Sequence, residues 1–148
     1  IINFLGIKRR FDILINKKKL TYIDDYAHHP KEVTSTIEAV KQLFPQRYIT
    51  VVFQPHLFSR TKHLALEFAK SLSLADQLIL LDIYAARESS IAGINSNMLL
   101  DLCTNSKKET CAKKDLLDLL DKEKIDVLLT LGAGDIGNLT EPIKYILN

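Results

Sequence analysis

YITVVF, residues 48–53, is a nearly unbroken run of β-branched and aromatic side chains. It lacks the alternation of apolar and polar residues that a half-exposed strand shows, so it predicts a strand buried on both faces. QLILLDI (77–83) and DVLLTL (126–131) have the same character. Segments with apolar residues at helical spacing separate these runs. Strands alternating with helices predict an α/β domain, a Rossmann-like three-layer sandwich with a mostly parallel sheet.

The remaining elements surround these three strands. FDILI (11–15) and LTYID (20–24) are joined by NKKK and predict a hairpin, which adds one antiparallel strand. No strand is predicted between 104 and 115, and the pair Lys107-Lys108 is assigned to a solvated loop. Five helices are predicted. The first begins at Pro30, the second covers Leu64 to Leu72, and the third spans 96–103. The fourth includes Leu116 to Leu120, and the last lies within 135–147.

Composition restricts the class of protein. With 148 residues, 47% of them hydrophobic, the chain suits one domain with a substantial core. Lysine and arginine exceed aspartate and glutamate by 20 − 18 = 2, so no strong field favours nucleic acid or a membrane surface. No apolar run reaches the roughly 18 residues of a membrane span, and residues 1–12 lack a leader-like pattern. A cytoplasmic protein is predicted, with Cys103 and Cys111 as reduced thiols.

Polar side chains concentrate where the predicted strands end. The segments that follow the strands are DDYAHHP, QPHLFSRT, YAARESSIAG and GAGDIG, and all four histidines lie in or just after the first two. The carboxyl ends of parallel strands share one edge of the sheet, where ligands bind. A polar ligand site is therefore predicted at this edge.

Individual residues at this edge suggest different roles. Asp25 is placed as the carboxylates that bind ribose hydroxyls are placed, whereas Asp24 is interpreted as local structure. His56 and Arg60 are four residues apart across a helix start, where a carboxylate or phosphate could bind. The alternative for Arg60 is a solvated residue of the first helical turn.

Two other kinds of site are not supported. GAGDIG has the GxGxxG spacing, but it follows the last predicted strand, whereas the dinucleotide fingerprint follows the first. A tight turn that brings the backbone near a ligand is the better interpretation. His28, His56 and Asp82 have no zinc-site spacing, so no metal site is predicted. The sequence also has no GxxxxGK[ST] phosphate loop.

Five segments together resemble a known family. They are RRFD (9–12), IDDYAHHPKEV (23–33), FQPHLFSRT (53–61), LLDIYAARESSIAGINS (80–96) and LGAGDIG (131–137). In this order they resemble the C-terminal domain of the Mur ligase family, over nearly all of residues 1–148. The resemblance implies an N-terminal UDP-sugar domain and a central ATPase domain that this chain does not contain. The FQPH segment is more similar to members that use L-alanine than to those that attach a recycled tripeptide.

The resemblance implies a ligase reaction. ATP phosphorylates the carboxylate of UDP-N-acetylmuramate, and the amine of L-alanine attacks the acyl phosphate to form an amide for peptidoglycan precursor synthesis. ATP and Mg²⁺ are the implied cofactors, with the phosphate cradle and metal ligands in the central domain. The chain alone is expected to be inactive. A standalone module that binds nucleotide or amino acid without catalysis remains the alternative, as does the tripeptide ligase.

The resemblance also implies roles for particular residues. Asp25 lies at the ATP ribose, and Arg10 is catalytic and reaches the phosphates when the domains close. His28, also catalytic, surrounds the incoming alanine together with His56 and Arg60, and Arg60 binds the alanine carboxylate. Many members have arginine at the position of Leu57, so carboxylate binding depends more on Arg60 and His56 here.

Overall fold

A six-stranded sheet forms the centre of the computed structural model, which describes residues 8–148. The absence of a leader-like pattern was inferred partly from residues 1–7, which lie outside the described residues. The strands are β1 (Asp12–Lys17), β2 (Leu20–Asp25), β3 (Ile49–Phe53), β4 (Gln77–Leu81), β5 (Lys107–Cys111) and β6 (Val127–Leu131). The helices are α1 (Pro30–Leu43), α2 (Phe58–His63), α3 (Ala65–Leu72), α4 (Ser96–Leu102), α5 (Leu116–Lys122) and α6 (Thr140–Leu147).

The strand order is β1-β2-β6-β3-β4-β5. β1 and β2 form the antiparallel hairpin, and every other neighbouring pair is parallel. The last strand in sequence therefore inserts between β2 and β3, which places the GAGDIG turn between the segments that follow those two strands. The α/β class, the mostly parallel sheet and its single antiparallel strand are confirmed.

Helices cover both faces of the sheet. Alternate residues of the central strands belong to two separate apolar clusters, one packed against α1, α3 and α4, the other against α5 and α6. In β3, Val51 faces the first cluster and Val52 the second. All five residues in each of β3, β4 and β6 are buried, because both sides of these strands are covered. This explains why their sequences are continuously apolar.

The sequence did not predict strand β5, and the assignment of its first two residues to a loop was wrong. Lys107 and Lys108 lie in an edge strand, β5, and not in a solvated loop. The Nζ of Lys108 donates hydrogen bonds to the carbonyl oxygens of Leu100 (2.9 Å) and Cys103 (2.6 Å) at the end of α4. The lysine thus adds donors at the end of the helix, where carbonyl groups run short of intrahelical partners. The Leu100 carbonyl also accepts from Cys103 N at 3.0 Å. The KKETC sequence has too few apolar residues for its strand to be recognised by pattern.

The two cysteines do not form a disulfide. Cys103 and Cys111 are both free, as predicted, and burial raises the pKa of the Cys103 thiol to about 11. Within residues 8–148, no helix is long and apolar enough to cross a membrane.

Candidate functional site

The carboxyl ends of three strands are in register. Asp25 pairs with Leu131 of β6, and Leu131 pairs in turn with Phe53 of β3. The segments that follow these strands therefore start side by side. This brings the histidines of the first two segments to one edge, as the sequence predicted.

Two residues with positive φ shape the segment that precedes β1. Arg9 has φ 61° and Phe11 has φ 48°, values that cost a non-glycine residue about 1–2 kcal/mol each. Hydrogen bonds hold this conformation: Tyr26 N donates to Arg9 O (2.8 Å), and Phe11 N donates to the Asp25 carboxylate (2.6 Å). Arg10 lies between these two fixed residues with its side chain exposed.

A buried ion pair lies beneath that segment. Arg9 Nε donates to the Asp24 carboxylate at 2.8 Å, and Asp24 is only 1% exposed. Thr130 Oγ1 donates to the same carboxylate at 2.6 Å, and Arg9 also donates to the carbonyl oxygen of Gly132 at 2.8 Å. Asp24 is structural, which agrees with its interpretation from sequence. From sequence, Arg9 was interpreted together with Arg10 as surface charge or an interdomain contact, because nothing in an RR pair shows which arginine is buried. For Arg9 the surface interpretation was wrong.

Asp25 borders a cavity of about 320 Å³. One carboxylate oxygen accepts from Ala27 N (2.7 Å) and the other from Phe11 N (2.6 Å). A carboxylate has roughly four acceptor positions, so both oxygens retain capacity for a ligand. The cavity is lined by Arg10, Phe11, Asp25, Tyr26, Ala27 and Glu32. It therefore combines two carboxylates, a guanidinium and two aromatic rings.

His29 begins helix α1 and does not belong to the site. Its side chain accepts from the backbone of the helix, and Glu32 accepts from the N–H groups of both His28 and His29 at 3.0 Å. This reciprocal arrangement is a capping box. Burial acts to raise the pKa of Glu32, but these two N–H donors outweigh it and the pKa lies below its usual value.

Aromatic rings form a continuous series across three strand ends. The centroids of His28 and His56 are 6.2 Å apart, and His56 stacks on Tyr84 at 5.5 Å. Arg60 Nη1 lies 3.1 Å from His56 Nδ1. Burial lowers the pKa of His56, and the neighbouring Arg60 and His28 lower it further against the opposing charge of Glu88, so the neutral form of the ring is favoured. The structure thus brings His28, His56 and Arg60 together.

Tyr84 was not predicted from sequence. Its backbone forms a parallel bridge with His56, in which Tyr84 N donates to Pro55 O (2.8 Å) and Leu57 N donates to Tyr84 O (2.9 Å). These bonds, together with the stacking, fix the orientation of the His56 ring. No sequence signal identified this contact, because it joins two different loops.

Glu88 supports the start of helix α2. Leu57, in the N-cap position with φ 71°, offers no side-chain acceptor. The Glu88 carboxylate instead accepts from Ser59 N (3.1 Å) and from the Ser59 hydroxyl. These hydrogen bonds lower the pKa of Glu88. The loop containing Arg87 and Glu88 is therefore tied to the helix that carries Arg60.

The glycines of GAGDIG are surrounded by the protein's own atoms. A Cβ on Gly134 would lie 2.5 Å from Gln54 Oε1 and 2.8 Å from Tyr84. Gly132 has φ 141°, and a Cβ there would lie 2.8 Å from the Gln54 carbonyl oxygen. The turn is tight, as predicted, but its close neighbours are Gln54 and Tyr84. Its glycines let the ends of β3, β4 and β6 pack together.

A second cavity at the same edge has a volume of about 220 Å³ and is lined by charged groups. Asp135 accepts from Gln54 Nε2 at 2.7 Å and pairs with Lys113, and Asp82 lies on the wall. His28, His56 and Asp82 do not form a metal cluster. Over the described part of the chain, no group of three or more metal-ligating side chains converges.

Acid should destabilise this domain. Burial acts to raise the pKa of Asp135, but hydrogen bonds from Lys113 and Gln54 outweigh it, so its pKa, like that of Glu32, is lowered. A carboxyl group with a lowered folded-state pKa contributes stability above its unfolded pKa, and that stability is lost as pH falls through the folded value. We expect the free energy of unfolding, measured with urea, to decrease below about pH 4.5. The double variant Glu32→Gln/Asp135→Asn should flatten this decrease, and an unchanged slope would contradict the assignment.

Comparison with known proteins identifies the family. A model described as "Mur ligase, glutamate ligase domain" matches residues 9–134. The chain belongs to the Mur ligase family. It is 52% identical over 146 residues to a protein of Flavobacterium psychrophilum named UDP-N-acetylmuramate–L-alanine ligase, covering 99% of this chain and 33% of the relative. The chain thus spans about a third of the length of the curated relatives it matches.

Solved structures agree with this Mur ligase assignment. A UDP-N-acetylmuramate–alanine ligase from Thermotoga maritima superposes with a TM-score of 0.71 at 28% identity, covering 93% of this chain and 29% of that one. A murein peptide ligase from Psychrobacter arcticus also gives 0.71, at 19% identity, covering 98% of this chain and 31% of that one. The second likeness concerns the fold alone. The superposed fold is therefore shared by Mur ligases with different named substrates.

Proposed function

We propose that this chain is the C-terminal domain of an ATP-dependent ligase that joins L-alanine to UDP-N-acetylmuramate in the cytoplasm. The single observation that carries the proposal is a contiguous edge, on which the Asp25 cavity adjoins the cluster of His28, His56 and Arg60. The 52% identity with a relative of that name supports the choice of substrates.

The Asp25 cavity suits the nucleoside end of ATP. Its volume of about 320 Å³ lies in the range of small-molecule sites. Asp25 retains acceptor positions for ribose hydroxyls, and Phe11 and Tyr26 supply apolar surface. Arg10 is exposed at the rim, where its guanidinium can reach phosphate oxygens supplied with the remainder of the ligase. In this proposal ATP supplies the phosphoryl group that activates the muramate carboxylate.

The neighbouring cluster suits the amino acid. Arg60 can bind a carboxylate through its planar guanidinium, and His28 and His56 flank the same space. Mg²⁺ and the phosphate cradle are assigned to the central domain of the complete ligase, together with the UDP-sugar domain. This chain would then supply half of a shared active site.

The test is an assay of phosphate release with UDP-N-acetylmuramate, ATP and L-alanine. The complete polypeptide that carries this chain should release phosphate only when alanine is present. This chain alone should release none, because the groups that hold the transferred phosphoryl are elsewhere. Alanine-independent activity that requires a tripeptide would overturn the choice of substrate. No activity in the complete polypeptide would favour the standalone module.

A further inference from the structure

Arg60 fixes which nitrogen of His56 carries a proton. Its Nη1 lies 3.1 Å from His56 Nδ1. A guanidinium can only donate hydrogen bonds, so Nδ1 accepts and is unprotonated. A neutral imidazole then carries its one proton on Nε2. His56 therefore presents an N–H donor on the side of its ring away from Arg60.

His28 has the opposite arrangement. Its Nδ1 lies 3.1 Å from the carbonyl oxygen of Tyr26, which can only accept, so Nδ1 carries the proton. Nε2 of the neutral ring is left with a free electron pair. Glu32 Oε2 is 3.6 Å from the same Nδ1 and also holds the N–H groups of His28 and His29. The ring is thus oriented by a carbonyl and faced by a carboxylate.

These two polarities match the two ends of an α-amino acid. Its ammonium group can only donate, and its carboxylate can only accept. The groups around His28 are Glu32 from α1, Tyr26 and His29 from its own loop, and His56 from the loop before α2. Among these groups, His28 Nε2 is an acceptor with no hydrogen-bond partner in the described structure, and His56 is a donor. Arg60, which contacts His56, is a second donor.

We infer that His28 Nε2 takes a proton from the ammonium group of the incoming amino acid, that His56 and Arg60 bind its carboxylate, and that Glu32 is a positioning residue for His28. This rests on the proposed function and divides the roles within its amino-acid site. One proton moves from nitrogen to Nε2, leaving a neutral amine with a free electron pair and an imidazolium. The Glu32 carboxylate stabilises that positive charge. The neutral amine attacks the acyl phosphate, so the C–N bond forms while the bond between the carbonyl carbon and the phosphate oxygen breaks. The second amine proton leaves with the released phosphate.

The protonation pattern can be measured without catalysis. Nitrogen-15 NMR of this chain at pH 9, above the usual range in which histidine is charged, should show His28 protonated at Nδ1 and His56 at Nε2. Arg60→Ala should release His56 to a mixture of both forms and leave His28 unchanged. The opposite tautomer at either ring in the unsubstituted chain would overturn the inference.

Kinetics of the complete polypeptide tests the proton transfer. Glutamine at position 28 can accept a hydrogen bond but cannot act as a base. We expect His28→Gln to lower kcat about 100-fold or more, the range of general-base catalysis, with little change in the KM for alanine. The deficit should shrink as pH rises and free amine becomes available. His63→Gln, at the exposed end of α2, is the matched control and should leave kcat unchanged.

Glu32→Gln removes the negative charge of Glu32 but keeps the capping box, because glutamine can also form one. It should lower kcat several-fold and lower the free energy of unfolding only by the share that the Glu32 charge contributes. Glu38→Gln, on the exposed face of the same helix, should leave both quantities unchanged. A loss for His28→Gln that does not depend on pH, or normal kcat in Glu32→Gln, contradicts the inference. Absence of alanine-dependent activity in the unsubstituted polypeptide contradicts the proposed function instead.

Discussion

Replacing Arg9 with alanine should destabilise this chain by about 3–5 kcal/mol, the usual effect of removing one partner of a buried ion pair. The Asp24 carboxylate is 1% exposed and, among residues 8–148, would keep the Thr130 hydroxyl as its one side-chain partner. The loss is a large part of the 5–15 kcal/mol that typically stabilises a domain. Urea unfolding of the two chains at pH 7 measures it directly.

The adjacent arginine provides the control. Arg10→Ala removes an exposed side chain for which the described structure records no hydrogen bond, so its effect should stay within about 0.5 kcal/mol. The double variant Arg9→Ala/Asp24→Ala should be more stable than Arg9→Ala, because it leaves no unpaired buried charge. Equal effects of Arg9→Ala and Arg10→Ala would show that the ion pair does not stabilise the fold.

The sequence predicted what local pattern can encode. Strands β3, β4 and β6 were recognised because burial on both faces requires continuous apolar residues, as in VLLTL. The edge strand β5 was missed because it is only partly covered, and its pairing with β4 and the contact of Lys108 with α4 compensate for a polar sequence. The pattern of apolar residues reflects how much of a strand is buried. It does not identify a strand that is half exposed to solvent.

At the candidate site, the sequence could place residues on loops but could not pair them. The concentration of histidines at strand ends indicated a shared edge, and the parallel register brought His28 and His56 together. The buried role of Arg9 and the stacking of Tyr84 depend on contacts between loops distant in sequence. Neither has a local signature.

Arg60→Ala in the complete polypeptide should raise the KM for L-alanine about 10- to 150-fold, the equivalent of the 1.5–3 kcal/mol of a hydrogen bond to a charged group. The reason is positional: Arg60 lies in the first turn of α2, 3.1 Å from His56, where its guanidinium can bind a carboxylate. Steady-state kinetics with varied alanine measures the change. The KM for ATP serves as an internal control, since the Asp25 cavity is lined by other residues.

Two further variants define what the arginine contributes. Lys62→Ala removes an exposed positive charge two residues along the same helix and should leave the KM for alanine unchanged. This result would distinguish a direct contact of Arg60 with the carboxylate from long-range attraction by any nearby positive charge. Arg60→Lys keeps the charge but loses the planar fork, so its KM should lie between those of the unsubstituted protein and Arg60→Ala. If alanine saturates Arg60→Ala at the original concentration, the carboxylate is bound elsewhere. Because Leu57 carries no charge, His56 would then be the remaining donor of this cluster to examine.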